Sequence, residues 1–131
     1  MYLPANDAVG KLILRLTVGL LLLPHGIAKL IRGVDGIAGG LADVGVPGIF
    51  AYGVYLGEVV APLLVIAGFY ARAGAALIVI NMIVAIWLAH AADVFLLSGS
   101  GGLELELQYF YLLVAVALIF LGPGRHAIND K

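Results

Sequence analysis

The chain has 131 residues, of which 63% are hydrophobic and 11% are charged, and its mean hydropathy is +1.13. Soluble domains carry about 25% charged residues, so this composition excludes a soluble protein and predicts an integral membrane protein in contact with lipid. A net charge of −1 with scattered lysines and arginines excludes a nucleic-acid-binding surface. The absence of cysteine excludes disulfides, thiolate metal sites and thiol exchange by this chain.

The first predicted span, residues 9–31, is apolar enough to cross a membrane, yet it contains Arg15, His25 and Lys29. On a helix, Arg15 and Lys29 share one stripe with the glycines between them, and His25 lies at the edge of that stripe. Charged groups at bilayer depth require a polar partner or water. The stripe is therefore predicted to face other helices, with a bend at Pro24.

The second predicted span, residues 48–70, carries Glu58 near its midpoint, where a carboxylate is most costly. Pro62 lies four residues later and has no N–H, so the Glu58 carbonyl loses its usual helical donor. The glycine-rich residues 32–48 have apolar residues at helical spacing, which predicts a short helix at the membrane surface. A row of small residues permits a close helix contact, within the chain or in a homo-oligomer: Gly53, Gly57 and Ala61.

The third predicted span, residues 73–92, follows a connection too short for a soluble loop and therefore runs antiparallel to the second. Asn81 lies on its small-residue face, which predicts that the amide faces neighbouring helices. His90 lies on the opposite, bulky face.

The fourth predicted span, residues 104–121, has Glu104, Gln108 and Tyr111 on one stripe and ends at a Gly-Pro-Gly sequence. Four spans place both termini on one side of the membrane, and the distribution of lysine and arginine predicts that this side is cytoplasmic. The predicted fold class is all-α: an integral membrane four-helix antiparallel bundle with a short interfacial helix between spans 1 and 2. It forms a single domain over residues 1–131.

The charged residues predict a polar pair near the membrane centre. The long Arg15 side chain is expected to reach Glu58, and Tyr55 and Asn81 are expected to complete the network. Two interpretations are open: the pair fixes the register of the helices, or it binds a ligand or carries a proton.

A second polar site is predicted in the outer half of the membrane. His25 and Lys29 lie one helical turn apart, and they are expected to face Glu104, Gln108 and Tyr111 of the fourth span. The alternative is an interfacial histidine beside a lysine that extends to the membrane surface. No haem between His25 and the histidine of the third span is expected, because their predicted faces do not meet, and no other metal is expected.

The chain resembles the DoxX family of small four-helix membrane proteins, which includes subunits of archaeal terminal quinol oxidase and thiosulfate:quinone oxidoreductase assemblies. The resemblance covers nearly the whole chain. It rests on a series of motifs in this order: Arg15 followed by His25-Gly26-x-x-Lys29, Gly57-Glu58, Gly68 with Arg72, Glu104, and Gly122-Pro123-Gly124-Arg125. It implies a component of a membrane redox system in a prokaryotic cell membrane, with quinone or quinol as the ligand.

The leading hypothesis is a redox-associated membrane subunit that binds a quinone or a similar amphipathic molecule and works with a soluble or membrane oxidoreductase partner. His25 and Lys29 would bond one ring oxygen, the fourth-span stripe would line the opposite wall, and Glu58 with Arg15 would carry or balance a proton. Whether the chain is itself an enzyme is open. Two alternatives are an oligomeric transporter or channel for an ion or small molecule, and a structural anchor for a soluble oxidoreductase.

Overall fold

The computed structural model describes residues 5–90 and 93–131, except for the side chains of residues 89 and 90. Its helices, in chain order, are α1 (Asp7–Arg32), α2 (Asp35–Asp43), α3 (Gly48–Ala67), α4 (Ala71–His90) and α5 (Glu106–Leu121). Strand pairing in the described part of the chain is limited to one isolated bridge between Leu97 and Leu103. The structure therefore confirms an all-helical protein.

Three helices, α1, α3 and α4, have the length and hydropathy needed to cross a membrane. The fourth long helix, α5, is equally apolar but has 16 residues, which is roughly 24 Å at 1.5 Å per residue. The hydrocarbon core of a bilayer is about 30 Å thick. The chain is an integral membrane protein, and its described residues form three helices suited to spanning a membrane and one shorter apolar helix.

The first helix is longer than predicted because Asn6 caps its N-terminus, accepting a hydrogen bond from the Val9 N–H at 3.1 Å. It ends at Gly33, which has a positive φ of 84°. The buried side of α1 is the stripe expected from the sequence: Arg15, Val18, Gly19, Leu22 and Gly26.

The second span is built from several helical types. It begins as a 3₁₀ turn over Gly48–Tyr52, contains a π-helical turn over Leu56–Val60 and continues as α-helix over Ala61–Ala67. The Ala61 N–H donates to the Leu56 carbonyl, five residues earlier, next to the position where Pro62 lacks a donor. The wide turn, which contains Glu58, therefore accommodates the proline that follows four residues later.

Glycines set the distances between α1, α3 and α4. A Cβ at Gly26 would overlap the Glu58 carbonyl, and a Cβ at Gly57 would overlap the Asn81 side chain. Ala61 is fully buried, and a Cβ at Gly74 would lie 3.0 Å from its carbonyl oxygen. The predicted row of small residues therefore makes an internal contact at Gly57 and Ala61.

Three predicted boundaries need correction. The third span begins at Ala71 rather than at residue 73, so Arg72 lies within α4. The second span ends at Ala67 rather than at residue 70, because Gly68 adopts a left-handed conformation with φ 71°. The fourth helix begins at Glu106 rather than at Glu104, because the Glu104 N–H donates to the Leu96 carbonyl at 2.8 Å in the bridged loop. The predicted end of the third span, residue 92, lies outside the described residues.

The last residues of the chain fold back over the ends of α3 and α4. The Asn129 N–H donates to the Gly68 carbonyl at 3.2 Å, and the Arg72 N–H donates to the Lys131 carbonyl at 3.2 Å. The Asn129 side chain accepts a further hydrogen bond from the Tyr70 N–H at 3.0 Å. This segment closes the end of the molecule opposite α2.

Candidate functional site

A polar trio, defined as Lys29, Glu58 and Asn81, lies where α1, α3 and α4 meet. Lys29 Nζ forms an ion pair with Glu58 Oε1 at 2.5 Å, and Asn81 Nδ2 donates to Glu58 Oε2 at 2.9 Å. Glu58 is only 3% exposed. Both carboxylate oxygens therefore have a donor, which is what a charged group in an apolar layer requires.

The surrounding backbone holds the trio in place. Gly26 lies against the Glu58 carbonyl, one helical turn before Lys29, and Gly57 lies against Asn81, so neither neighbouring helix is kept away by a side chain. Tyr55 donates its hydroxyl to the Lys29 carbonyl at 3.2 Å. Asn81 therefore contacts Glu58 directly, whereas Tyr55 contacts the backbone of Lys29.

A cavity of about 640 Å³ lies between α2, α3 and α4 and reaches the trio. All three trio residues line it, and the rest of its wall is almost entirely apolar, including Ile37 and Leu41 of α2 and Trp87 of α4. Glu58 and Asn81 lie at one level of the cavity, and Ala51 and Leu88 line it nearer to α2. The trio therefore lies at the end of the cavity that is closer to the membrane centre. The arrangement is suited to a molecule with a polar head and an apolar body.

Arg15 does not pair with Glu58, contrary to the prediction. It is 1% exposed and donates from Nε to the Val65 carbonyl at 2.9 Å and from Nη2 to the Ile66 carbonyl at 3.0 Å. Its Nη1 donates to the carbonyls of two residues in the C-terminal segment: Pro123 at 2.9 Å and His126 at 2.7 Å. Arg15 lies eleven residues, roughly 16 Å along the helix, before Gly26, so it meets the end of α3 rather than its middle.

The predicted outer pocket is only partly assembled. His25 and Tyr111 are neighbours, with ring centroids 6.2 Å apart in an edge-to-face arrangement, and the Tyr111 hydroxyl donates to the Leu21 carbonyl at 3.1 Å. His25 and Glu104 are exposed, Gln108 is half-buried, and Lys29 points to Glu58 instead. The side chain of His90, which was predicted to lie on the bulky face of the third span, is outside the described part of the chain.

A family model for DoxX matches residues 10–91. The chain belongs to the DoxX family. It is also 31% identical over 121 residues to an uncharacterized protein of Haemophilus influenzae. This alignment covers 90% of this chain and 87% of that protein. No solved structure is significantly similar to the chain.

The part of the chain that matches DoxX contains the whole trio and all residues that line the cavity, from Lys29 to Leu88. The α5 residues of the predicted outer pocket lie beyond the match. The site that the structure assembles in this DoxX protein is therefore the cavity between α2, α3 and α4.

Sequence reasoning missed the walls of this cavity, because its lining residues are apolar and read as core or lipid-facing positions. One signal was available: the apolar residues at helical spacing in 32–48 show that α2 has a face to bury. Trp87 of α4 also lines the cavity, beside Leu88.

Proposed function

We propose that this DoxX protein is the membrane subunit of a redox system and binds a quinone or quinol in the cavity between α2, α3 and α4. One observation carries the proposal: an apolar cavity that ends at a buried carboxylate, which is paired with a half-buried lysine and a half-buried amide. Its volume of about 640 Å³ is in the range of small-molecule sites in proteins.

The trio has the groups that a quinone ring requires. Lys29 donates one of its three ammonium hydrogens to Glu58, which leaves two donors for an acceptor such as a ring carbonyl. Asn81 has both a donor and an acceptor on its amide. The Glu58 carboxylate accepts a hydrogen bond or a proton from a ring hydroxyl when the ligand is the reduced quinol.

In this proposal, electrons pass between the quinone and an oxidoreductase partner, because the chain has no cysteine and its side chains supply binding and a proton site. The residues that bind the ligand in this proposal are those of the trio, and not the predicted outer-pocket residues His25, Glu104, Gln108 and Tyr111. Arg15, saturated by four backbone carbonyls, has a structural role.

The single tryptophan gives a direct test, since Trp87 lines the cavity and a quinone ring quenches indole fluorescence on contact. The protein, in lipid nanodiscs, is titrated with a benzoquinone that carries a ten-carbon tail. We expect saturable quenching, with affinity at least about tenfold weaker in Lys29→Met and Asn81→Leu, because one hydrogen bond in such a site contributes about 1.4 kcal/mol or more.

Two controls make the test specific. Glu106→Gln changes an exposed carboxylate outside the cavity and is expected to leave the affinity unchanged. The double variant Trp87→Phe/Phe120→Trp moves the fluorophore to a position that is 82% exposed on α5, where only linear, collisional quenching is expected. Identical quenching at both tryptophan positions would refute binding in the cavity.

Transport is the second candidate, and one observation favours it: the helical pairing of α3 is interrupted at Leu56–Val60, beside a buried carboxylate at mid-depth. A transporter would show flux of an ion or small molecule across proteoliposomes that disappears in Glu58→Gln. A protein that neither binds quinone nor supports flux would instead be a structural anchor for a soluble partner.

A further inference from the structure

The cavity opens on the side of the molecule that faces lipid. Five of its lining side chains are exposed, and the least exposed of them, Val84, is still 41% exposed. They belong to two helices that are long enough to span the membrane: Phe50 and Leu56 on α3, and Ile80, Val84 and Trp87 on α4. The mouth of the cavity is therefore bordered by side chains that contact the hydrocarbon layer.

The end of the cavity toward the nearer membrane surface is closed. Val34 and Leu41 of the α2 region pack with Ala51 of α3 in a buried apolar cluster, and each is 5% exposed or less. Gly40 of α2 lies against Leu88 of α4, where a Cβ would be 3.7 Å from the leucine. A ligand that approached from water at this end would have to displace this packing.

The Glu58 carboxylate of the trio lies at mid-depth, and Lys29 reaches it from the last turn of α1. Glu58 is ten residues from the start of α3 and nine from its end, which is roughly 14–15 Å from either end at 1.5 Å per residue. A polar head at this depth is reached from the hydrocarbon layer, in which a small water-soluble molecule does not accumulate. The side that opens to lipid and the closed end at the membrane surface thus both favour a ligand that reaches the cavity through the hydrocarbon layer.

We propose that the ligand is a tailed amphiphile, a small polar ring with a long hydrocarbon chain, that enters sideways from the bilayer between α3 and α4. Its ring lies at Lys29, Glu58 and Asn81, and its tail leaves the cavity across Ile80 and Val84 into the lipid. This inference rests on the proposed quinone site and defines its substrate class by the tail. The tail contributes to binding, and the side chains at the mouth of the cavity favour ligands that have a tail.

The test uses the quenching of Trp87 with two probes of the same benzoquinone ring, one with a ten-carbon tail and one with none, compared at equal mole fraction in the nanodisc lipid. We expect the tailed probe to bind at least about tenfold more tightly. Ile80→Phe, which fills the mouth, is expected to weaken the tailed probe by about tenfold and the tailless probe by less than twofold.

Ile83→Phe is the matched control, because Ile83 is an equally exposed isoleucine of α4 outside the cavity lining. Equal affinity of the two probes, or equal effects of Ile80→Phe and Ile83→Phe, would overturn lateral entry of a tailed ligand and leave the quinone site standing. Absence of saturable quenching with either probe would overturn both proposals.

Discussion

Glu58 is stable in an apolar layer because both of its oxygens are paired, one with Lys29 and one with Asn81. Removal of one partner of a buried ion pair costs more than removal of both, because the remaining charge has no partner. The consequence is measurable in the free energy of unfolding of single and double variants.

We therefore expect Lys29→Met, which leaves the buried Glu58 carboxylate without its cation, to destabilise the protein by about 3–5 kcal/mol, and Lys29→Met/Glu58→Leu to destabilise it by clearly less. Reversible unfolding in mixed detergent micelles measures both. A double variant no more stable than Lys29→Met would show that Lys29 is not the partner of the carboxylate.

Arg15 is expected to affect stability and not ligand binding. Arg15→Met leaves four backbone carbonyls, two buried and two partly buried, without their donor, at about 1–3 kcal/mol for each group that stays unsatisfied, so we expect a loss of about 3 kcal/mol or more. Arg15→Lys keeps the charge but has fewer donors and loses less. Quinone affinity of the folded fraction, measured by Trp87 quenching, should not change; a selective loss of binding would return Arg15 to the ligand site.

At the scale of helices, the contact between α1 and α3 depends on Gly26. A Cβ at this position overlaps the Glu58 carbonyl, so Gly26→Ala is expected to cost about 1–3 kcal/mol and to weaken the Lys29–Glu58 pair. Gly10→Ala in the same helix is the control, because nothing lies within 4 Å of its Cβ position, and alanine there is expected to stabilise α1 by up to about 1 kcal/mol. Equal effects of the two changes would contradict the close helix contact.

Local periodicity predicted the elements and their faces, because both depend on the chain's own spacing. The buried stripe of α1 and the inward face of Asn81 followed from 100° per residue, and α2 followed from apolar residues among glycines. Element ends were less predictable where tertiary hydrogen bonds set them, as at Glu104, whose N–H is held by Leu96.

The pairing of charges was not predictable, because it depends on the vertical register of two helices. Arg15 and Lys29 share a stripe, so periodicity alone does not choose which of them meets Glu58. The choice follows from Gly26 lying against Glu58, which brings Lys29 to the carboxylate and Arg15 to Val65 and Ile66. The cavity was missed for a related reason: it is a space between three elements, and no single segment encodes it.

At the scale of the whole molecule, we propose that α5 also crosses the membrane, giving an antiparallel four-helix bundle in a prokaryotic cell membrane with cytoplasmic termini. The chain has no cysteine, so single cysteines report topology directly. We expect Ser100→Cys to react with a membrane-impermeant maleimide in intact cells, and Asp130→Cys to react only after permeabilisation. Labelling of both positions in intact cells would show that α5 does not span, and the reverse pattern would invert the orientation.

The most direct test of the quinone site is native mass spectrometry of the protein released gently from its own membrane, with organic extraction and identification of any bound molecule. We expect about one quinone or quinol with a long hydrocarbon tail per chain in the wild-type protein and in Glu106→Gln, and its loss in Lys29→Met. A wild-type protein that carries only phospholipid, or a Lys29→Met variant that retains quinone in full, would contradict it.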